Sequence, residues 1–452
     1  MLDEFGSRAR IIPAEVRGRL RVWRNWVHGL LLLVLVALPW LKINGMQAVW
    51  LDIPRRRFEI FGTLFLSHDA PLLFFLGMLL ILGLVIVTAL FGRVWCGWAC
   101  PQTVFIDAVY RRVEIWVEGD YIKRRKLAAQ NMDFRKASLL AIKWALYFVI
   151  SSVLAHSVMA YFAGAKPLLE MMKGSPIENW VYFLSATSLT GLLMFNFGWF
   201  REQFCVIMCP YGRFQSALMD PSSITVMYDE RRGEPRKGFS SAARGDCVSC
   251  NRCVEVCPTK IDIRDGIQME CISCTACIDA CNEIMRKVDK PEGLIRHKRI
   301  SDQTVVGFRP RIAAYSVASV LLLVGLIFSV ATRKAYSLTI LRATDAPFQV
   351  LADDRVLNHF KNHYLNQSAR TQTVEFVLSE DDLQRGMQLT QAVSTHTVAP
   401  GESAELHLFV SFPKALLGSD GQFRFKILVR DRATGVENNV EVTGLGPYST
   451  GS

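Results

Sequence analysis

Residues 247–281 read CVSCNRCVEVCPTKIDIRDGIQMECISCTACIDAC. Two runs of spaced cysteines stand back to back in this stretch: Cys247, Cys250, Cys253 and Cys257, then Cys271, Cys274, Cys277 and Cys281. The first run is Cys-x2-Cys-x2-Cys-x3-Cys-Pro. In that pattern three close thiolates wrap one corner of an iron–sulfur cubane and the fourth reaches across to the neighbouring cluster. Cys247, Cys250, Cys253 and Cys281 are thereby assigned to one [4Fe–4S] cluster, and Cys271, Cys274, Cys277 and Cys257 to a second. Asn282 stands where the repeat would place another proline, a position that ligates nothing. A zinc module is the competing reading, but zinc sites present two separated Cys-x2-Cys pairs. The stretch predicts a dicluster ferredoxin domain (α+β): a one-electron wire, with no reaction site of its own.

The chain has twelve cysteines in 452 residues, and the other four are also paired. Cys96 and Cys100 precede Pro101; Cys205 and Cys209 precede Pro210. Cysteines at i and i+4 share a helical face or bracket a tight turn, and a proline directly afterwards suits the first position of a new helix. A thiol at such an N-terminus is expected to have a lowered pKa. The surroundings repeat, with Arg93 and Phe105 flanking the first pair and Arg201 and Phe214 the second. If the two units pack together, four thiolates converge beside the ferredoxin domain. Such a candidate redox site favours a soft ion, above all Cu(I), or another cluster; the bland alternative is four buried thiols with no ligand. The segment from Pro101 to Val117 has an apolar face (Val104, Phe105, Ala108, Val109, Ile115, Trp116) opposite Arg111, Arg112 and Glu118, and reads as a helix lying on a leaflet surface.

Outward from the cysteines lie the apolar runs. Pro71 to Phe91, Trp180 to Phe200 and Ile312 to Thr332 contain no Asp, Glu, Lys or Arg. Each is long enough for ~30 Å of hydrocarbon. Ser138 to Ala165 carries one charge, Lys143, near enough to an end to snorkel. Trp26 to Leu41 is shorter and flanked by Trp23, Trp26 and Trp40, an interfacial aromatic belt. It starts too far into the chain, with no small-residue cleavage site after it, to read as a signal peptide. Five spans follow. The net charge of +11 collects beside them, which fits anionic lipid and not nucleic acid.

Arg8, Arg10, Arg17, Arg19, Arg21 and Arg24 precede the first span. Arg111, Arg112, Lys123, Arg124, Arg125, Lys126, Arg135 and Lys136 follow the second, and Arg296, Lys298, Arg299, Arg309 and Arg311 precede the fifth. With five spans all three groups share one face, and the positive-inside rule makes it the cytoplasm. Arg55, Arg56 and Arg57 in the first external loop are a local exception. The expected organisation is a cytoplasmic tail (1–25), a four-helix membrane domain carrying both cysteine pairs (26–220), a cytoplasmic ferredoxin domain (221–311), a fifth transmembrane helix (312–332) and a periplasmic domain (333–452). The protein is then a multi-pass protein of the bacterial inner membrane.

The last domain has no cysteine. Ala335 to Leu341, Thr373 to Leu378, Ala404 to Phe412 and Gln422 to Val429 alternate apolar and polar residues, with turn signals at Pro400-Gly401 and Ser419-Asp420-Gly421. An all-β, immunoglobulin-like sandwich without its disulfide is expected. His156 and Met159, one turn apart, with Met171 and Met172 nearby, read as ordinary packing more than as a metal port. His28 is given no role, and His68-Asp69 reads as a turn before the second span.

The full pattern resembles the FixG/CcoG (RdxA) family of membrane-bound polyferredoxins. The resemblance rests on Trp40-Leu41-Lys42-Ile43-Asn44-Gly45, on Leu51-Asp52-Ile53-Pro54-Arg55-Arg56-Arg57-Phe58 with Phe61-Gly62, on Cys96-Gly97-Trp98-Ala99-Cys100-Pro101, on Cys209-Pro210-Tyr211-Gly212-Arg213-Phe214-Gln215, and on the octet. It covers nearly the whole chain, and the immunoglobulin-like C-terminal domain sets it apart from NapH-like proteins. It implies a cytochrome c oxidase accessory protein that reduces Cu(II) to Cu(I) at Cys96, Cys100, Cys205 and Cys209. Copper chaperones and subunits of a cbb3-type oxidase would be its partners, and the electron donor is unspecified. Two other functions compete: a NapH-like electron relay between quinone and a partner, and a non-enzymatic assembly scaffold acting through the C-terminal domain.

Overall fold

The computed structural model describes residues 11–65, 69–236, 245–301, 308–333, 335–343, 346–351, 353–368, 370–432, 435 and 437–448; Arg8, Arg10 and His68 fall outside them. The chain forms two compact units, Met1–Leu41 with Leu72–Ile327, and Lys42–Pro71 with Phe328–Ser452.

Five helices are long and apolar enough to cross a membrane: Arg19–Trp40, Ala70–Phe91, Phe134–Ala163, Trp180–Phe200 and Pro310–Ala331. The first begins well before the apolar run does. Its amino end is capped by Asp279 of the ferredoxin segment, whose carboxylate accepts from the backbone N–H of Arg21 at 2.7 Å and of Leu20 at 3.4 Å. Unpaired N–H groups and a partial positive charge at a helix start make a carboxylate stabilising there. The third helix starts at an Asp133 cap accepting from Lys136 N–H and ends at Gly164, whose φ of 87° no β-carbon-bearing residue adopts easily.

Between the fourth and fifth helices, strands Ile224–Tyr228 and Ile295–Arg299 pair antiparallel and close off the segment that holds the octet. Val226, Ile263, Ile278, Met285, Leu294 and Ile295 form its core together with Cys247 and Cys253. The helix Ala276–Lys287 buries Ile278 and Met285 against it, and Ala276 and Ala280 on another side. The result is the α+β insert that the cysteine spacing predicts.

In the second unit, residues 336–342, 355–366, 403–413 and 388–391 form one antiparallel sheet, with 349–350 added to its second strand. Residues 395–398, 372–378, 422–431 and 437–445 form the other. Val356, Phe360, Val374, Phe376, Leu408, Val410, Phe412, Ile427 and Val429 fill the space between them. This is an immunoglobulin-like sandwich with no disulfide. The loop between the first two apolar helices belongs to the same unit: strands Val49–Asp52, Arg57–Ile60 and Thr63–Phe65 make a small sheet, and Arg57 donates to the carbonyl of Gly401 at 2.8 Å. Arg55 meets Asp52 at 3.4 Å. The arginines that broke the charge rule in this loop are thus partly structural.

Candidate metal and redox centre

The two cysteine loops of the ferredoxin segment share one backbone device. Ser249 and Asn251, two and four residues after Cys247, have φ of 58° and 54°; Ser273 and Thr275, placed identically after Cys271, have 52° and 64°. None is glycine, and such conformations cost of order 1–3 kcal/mol each unless something requires them. Turning the backbone this way wraps the loop round a compact guest. Cys257, Cys271, Cys274 and Cys277 line one small cavity together with Cys253. Cys281 sits instead among Cys247, Cys250 and Cys253, whose charges bear on it. Burial first, and then these like-charged neighbours, push the Cys281 thiol up to about 12; Cys271 is raised to about 12, again chiefly by burial. Buried thiolates in fours need a cationic core to be ionised at all. Among the described residues no three His, Cys, Asp or Glu side chains close on a point that one ion could fill. The Cys-x2-Cys-x2-Cys spacing of each run suits a cubane, where each iron takes one thiolate, better than a zinc centre.

The other four cysteines are neighbours, although among the described residues no three of them close on a single point either. Cys96 lies in the short helix Val94–Trp98, and Cys205 in a π-helical turn, Phe204–Met208. Cys100 and Cys209 are extended residues capping helices that open on Pro101 and Pro210. The Cys205 thiol is raised to about 12 by burial and then by Cys100, Cys96 and Cys209, so all four share one electrostatic neighbourhood. Cys96 is likewise raised to about 12 by burial, then Cys100. Here the expectation of lowered thiol pKa values fails. Cys100 does receive backbone N–H groups from Gln102 and Thr103, which lower its pKa, but burial outweighs them.

Each unit is pinned by residues of the other. Arg93, before the first pair, donates to the carbonyl of Gly212 at 2.5 Å, after the second. Arg201, before the second pair, donates to Glu114 at 2.7 Å and to Tyr147 at 2.8 Å, beyond the first. The Cys96 thiol meets the Gln215 amide oxygen at 3.6 Å, and Gln102 bonds Asn196 and the carbonyl of Arg201. A β-carbon on Gly212 would stand 2.8 Å from the Cys205 carbonyl oxygen, so only glycine allows that turn to close.

The segment after Cys100 departs from the reading of an exposed charged face. It is helical from Pro101 to Glu118 through a π turn at Ile106–Tyr110, and π turns recur at functional sites. Arg111 and Glu118 are buried, while Trp116 is 81% exposed. Buried charge is stabilised by buried partners: Arg111 pairs with Glu202 and with Asp107 at 3.5 Å, and Lys143 with Glu118 at 2.5 Å. Asp107 also receives Arg21 at 2.6 Å and Arg24 at 3.3 Å. Burial alone would raise its carboxyl pKa, but these three arginines hold it well below the ordinary range. The sequence reading assigned no site role to Arg24, Asp107, Glu114 and Gln215; for Asp107 and Glu114 the available signal was acidic charge following the first cysteine pair, and for Arg24 there was none. His156 is turned back on the Ser152 carbonyl at 2.7 Å, as ordinary packing requires.

The quartet and the ferredoxin loops are in contact. A β-carbon on Gly97, next to Cys96, would lie 2.5 Å from the Ile272 carbonyl oxygen and 2.9 Å from Cys274 N. Arg24 donates to the Gly97 carbonyl at 2.7 Å from the other side. Cys96 packs with Ile272, Cys274, Val256, Ala276 and Ala280 in one apolar cluster. The loop of Cys271–Cys277 is therefore the one adjoining the quartet.

Family profiles agree with this division. One described as a 4Fe-4S dicluster domain matches residues 200–300, one described as a 4Fe-4S binding domain matches 73–123, and the immunoglobulin-like fold at the C-terminus of FixG matches 326–447. Protein RdxB of Cereibacter sphaeroides is 39% identical over 66% of this chain and 64% of its own. Protein RdxA of the same organism is 35% identical over 80% of this chain and 81% of its own. Nitrogen fixation protein FixG of Rhizobium meliloti is 30% identical over 94% and 91%. Two ferredoxin-type cysteine loops in contact with a paired-cysteine membrane domain, and a C-terminal sandwich of the FixG type, make this chain a member of the FixG/RdxA family of iron–sulfur electron-transfer proteins.

Proposed function

We propose that the protein is a membrane-bound reductase that converts Cu(II) to Cu(I) during assembly of a cbb3-type cytochrome c oxidase. Cys247, Cys250, Cys253 and Cys281 would hold one [4Fe–4S] cluster and Cys257, Cys271, Cys274 and Cys277 the other; when bound, each supplies one electron at a time. Copper is the substrate, taking one electron and leaving as Cu(I) for a copper chaperone. The chain's own contribution is to hold Cys96, Cys100, Cys205 and Cys209 together as soft donors that prefer Cu(I). The observation that carries the reading is the packing of Gly97 on the Cys274 backbone, which puts the donor loop against the thiol quartet. The arginine distribution supports a bacterial inner-membrane protein with the N-terminus and ferredoxin domain in the cytoplasm and the sandwich in the periplasm.

The test is a quadruple Cys→Ser variant at positions 96, 100, 205 and 209. It should keep its iron and its cluster absorbance and lose copper reduction, followed with a Cu(I)-specific chelator. Unchanged reduction overturns the proposal.

A further inference from the structure

A cavity of about 250 Å3 opens between the start of the third apolar helix, the end of the fourth and the Cys205 turn. Its walls are apolar and aromatic: Leu140, Trp144, Trp199, Val206 and Ile207. Two π-helical stretches, Met194–Phe200 and Phe204–Met208, shape one side, a backbone irregularity that marks functional sites more often than packing. Gly198 lets that side close, since a β-carbon there would come within 3.2 Å of Trp144 and 3.3 Å of Tyr147.

The polar lining is balanced. Lys143 and Arg201 contribute two positive charges, Glu114 and Glu202 two negative ones. Arg201 bonds Glu114 at 2.7 Å, and Lys143 bonds Glu118 at 2.5 Å. Of these four only Lys143 lies within an apolar helix, near its start, where an ionisable group is costly and marks a functional site by default. Thr259 closes the far side, and its hydroxyl lies 3.3 Å from the Cys257 thiol. The cavity thus borders a ferredoxin-loop cysteine on one side and, through Val206, Cys205 on the other.

These features narrow the ligand. A phosphate headgroup would meet Glu114 and Glu202 as well as the cations, so an anion gains little. The charged groups already have partners in one another, so an acyl chain alone would fill the apolar walls but use none of the polar lining. A flat, neutral ring with polar atoms at its edge fits both the indole faces and the balanced charges. Trp199, at the end of the fourth apolar helix, and Ile207, in the turn after it, are about half exposed, at 47% and 55%, so a lipid-soluble ligand can reach the cavity past them. We propose that this cavity binds the headgroup of a lipid-soluble quinone. The choice of ligand rests on the electron-transfer reading, but the binding claim fails or stands apart from copper reduction.

The test uses the full chain, cluster-loaded, in nanodiscs, with decylubiquinone as probe and tryptophan quenching as readout. Wild type should bind saturably, and Leu140→Trp, which fills the cavity from the third helix, should weaken binding at least about tenfold. Phosphatidylglycerol added at matched concentration should not displace the probe. Absence of saturable binding, equal affinity in Leu140→Trp, or displacement by phosphatidylglycerol overturns the proposal. Because a tryptophan at 140 can disturb folding, an azido-quinone is also photolysed on wild type. Labelled peptides should contain residues 140–144 or 198–207, and labelling confined elsewhere also overturns it. The thiol-quartet variant, in which copper reduction is tested, should bind decylubiquinone as wild type does.

Discussion

Gly97 and Cys274 are backbone neighbours: a β-carbon at 97 would stand 2.9 Å from both N and Cα of Cys274. They come from different segments, one following the first cysteine of a membrane pair, the other inside a ferredoxin loop. The atoms that would be hit belong to main chain, which cannot swing aside as a flexible side chain does. Gly97→Val should therefore move the loop off the quartet while leaving the ligand thiols in place. With a ~1 Å displacement, transfer of electrons from pre-reduced protein to copper should slow by about tenfold or more. Stopped-flow bleaching of the cluster absorbance after copper addition measures this. A wild-type rate in an iron-replete Gly97→Val protein would show that electrons do not cross here.

The crossed positions of Cys257 and Cys281 make a second prediction. Cys257 lines the cavity that Cys271, Cys274 and Cys277 share with Cys253, whereas Cys281 sits among Cys247, Cys250 and Cys253. Cys257→Ser should remove one cluster and roughly half the iron, leaving the signal of the Cys247 set. Cys281→Ser should do the reverse. Anaerobic iron analysis with electron paramagnetic resonance of the reduced proteins separates the two; identical residual spectra from both variants would contradict the crossing.

Much of this was legible because spacing and hydropathy are local. The octet, the two Cys-x3-Cys-Pro units and four of the apolar runs can be read without knowing what packs on what. The longest strand of the sandwich, 355–366, could not be read that way, because its inward positions alternate Val356, Phe360 and Tyr364 with Asn358, Asn362 and Asn366. Buried asparagines erase the period-2 signal, and their purpose is tertiary: Asn358 makes two 2.8 Å bonds to the backbone of Leu445. The charge network round Asp107 was hidden for the same reason. Arg21, Arg24 and Arg111 look like leaflet-facing cations until their shared carboxylate is located.

Copper capture should depend steeply on pH. The Cys96 and Cys205 thiols, each raised to about 12, are protonated at neutral pH. Binding Cu(I) as thiolates expels both protons, so affinity rises with pH as long as pH stays below their pKa. The apparent affinity should climb about a hundredfold per pH unit between pH 6 and 8. Competition with a Cu(I) chelator whose own pH dependence is known gives the slope. A flat profile would mean that the thiols are already ionised, or that copper binds elsewhere.

Arg201 and Glu114 join the two cysteine units through a 2.7 Å bond between side chains that are only 8% and 4% exposed. Burial opposes the charge on Arg201, but Glu114 and Tyr147 outweigh it and hold the guanidinium protonated. Glu114 has a second cation, Arg124, at 3.5 Å, so it is not stranded when Arg201 is removed. Arg201→Gln should cost about 3 kcal/mol, the lower end for breaking a buried pair, and Glu114→Gln about 5 kcal/mol, since it takes the paired carboxylate from Arg201 and leaves Arg124 only Glu15 at 3.9 Å. Glu114→Gln combined with Arg201→Gln should cost less than the sum of the single changes, because neither charge is then left facing an empty partner. Thermal unfolding of the three variants in detergent, with the fourth span's Trp199 as reporter, decides it. Strict additivity would mean that the pair contributes nothing as a pair, and that the two units are held together by their other contacts, such as Arg93–Gly212, Gln102–Asn196 and Arg111–Glu202.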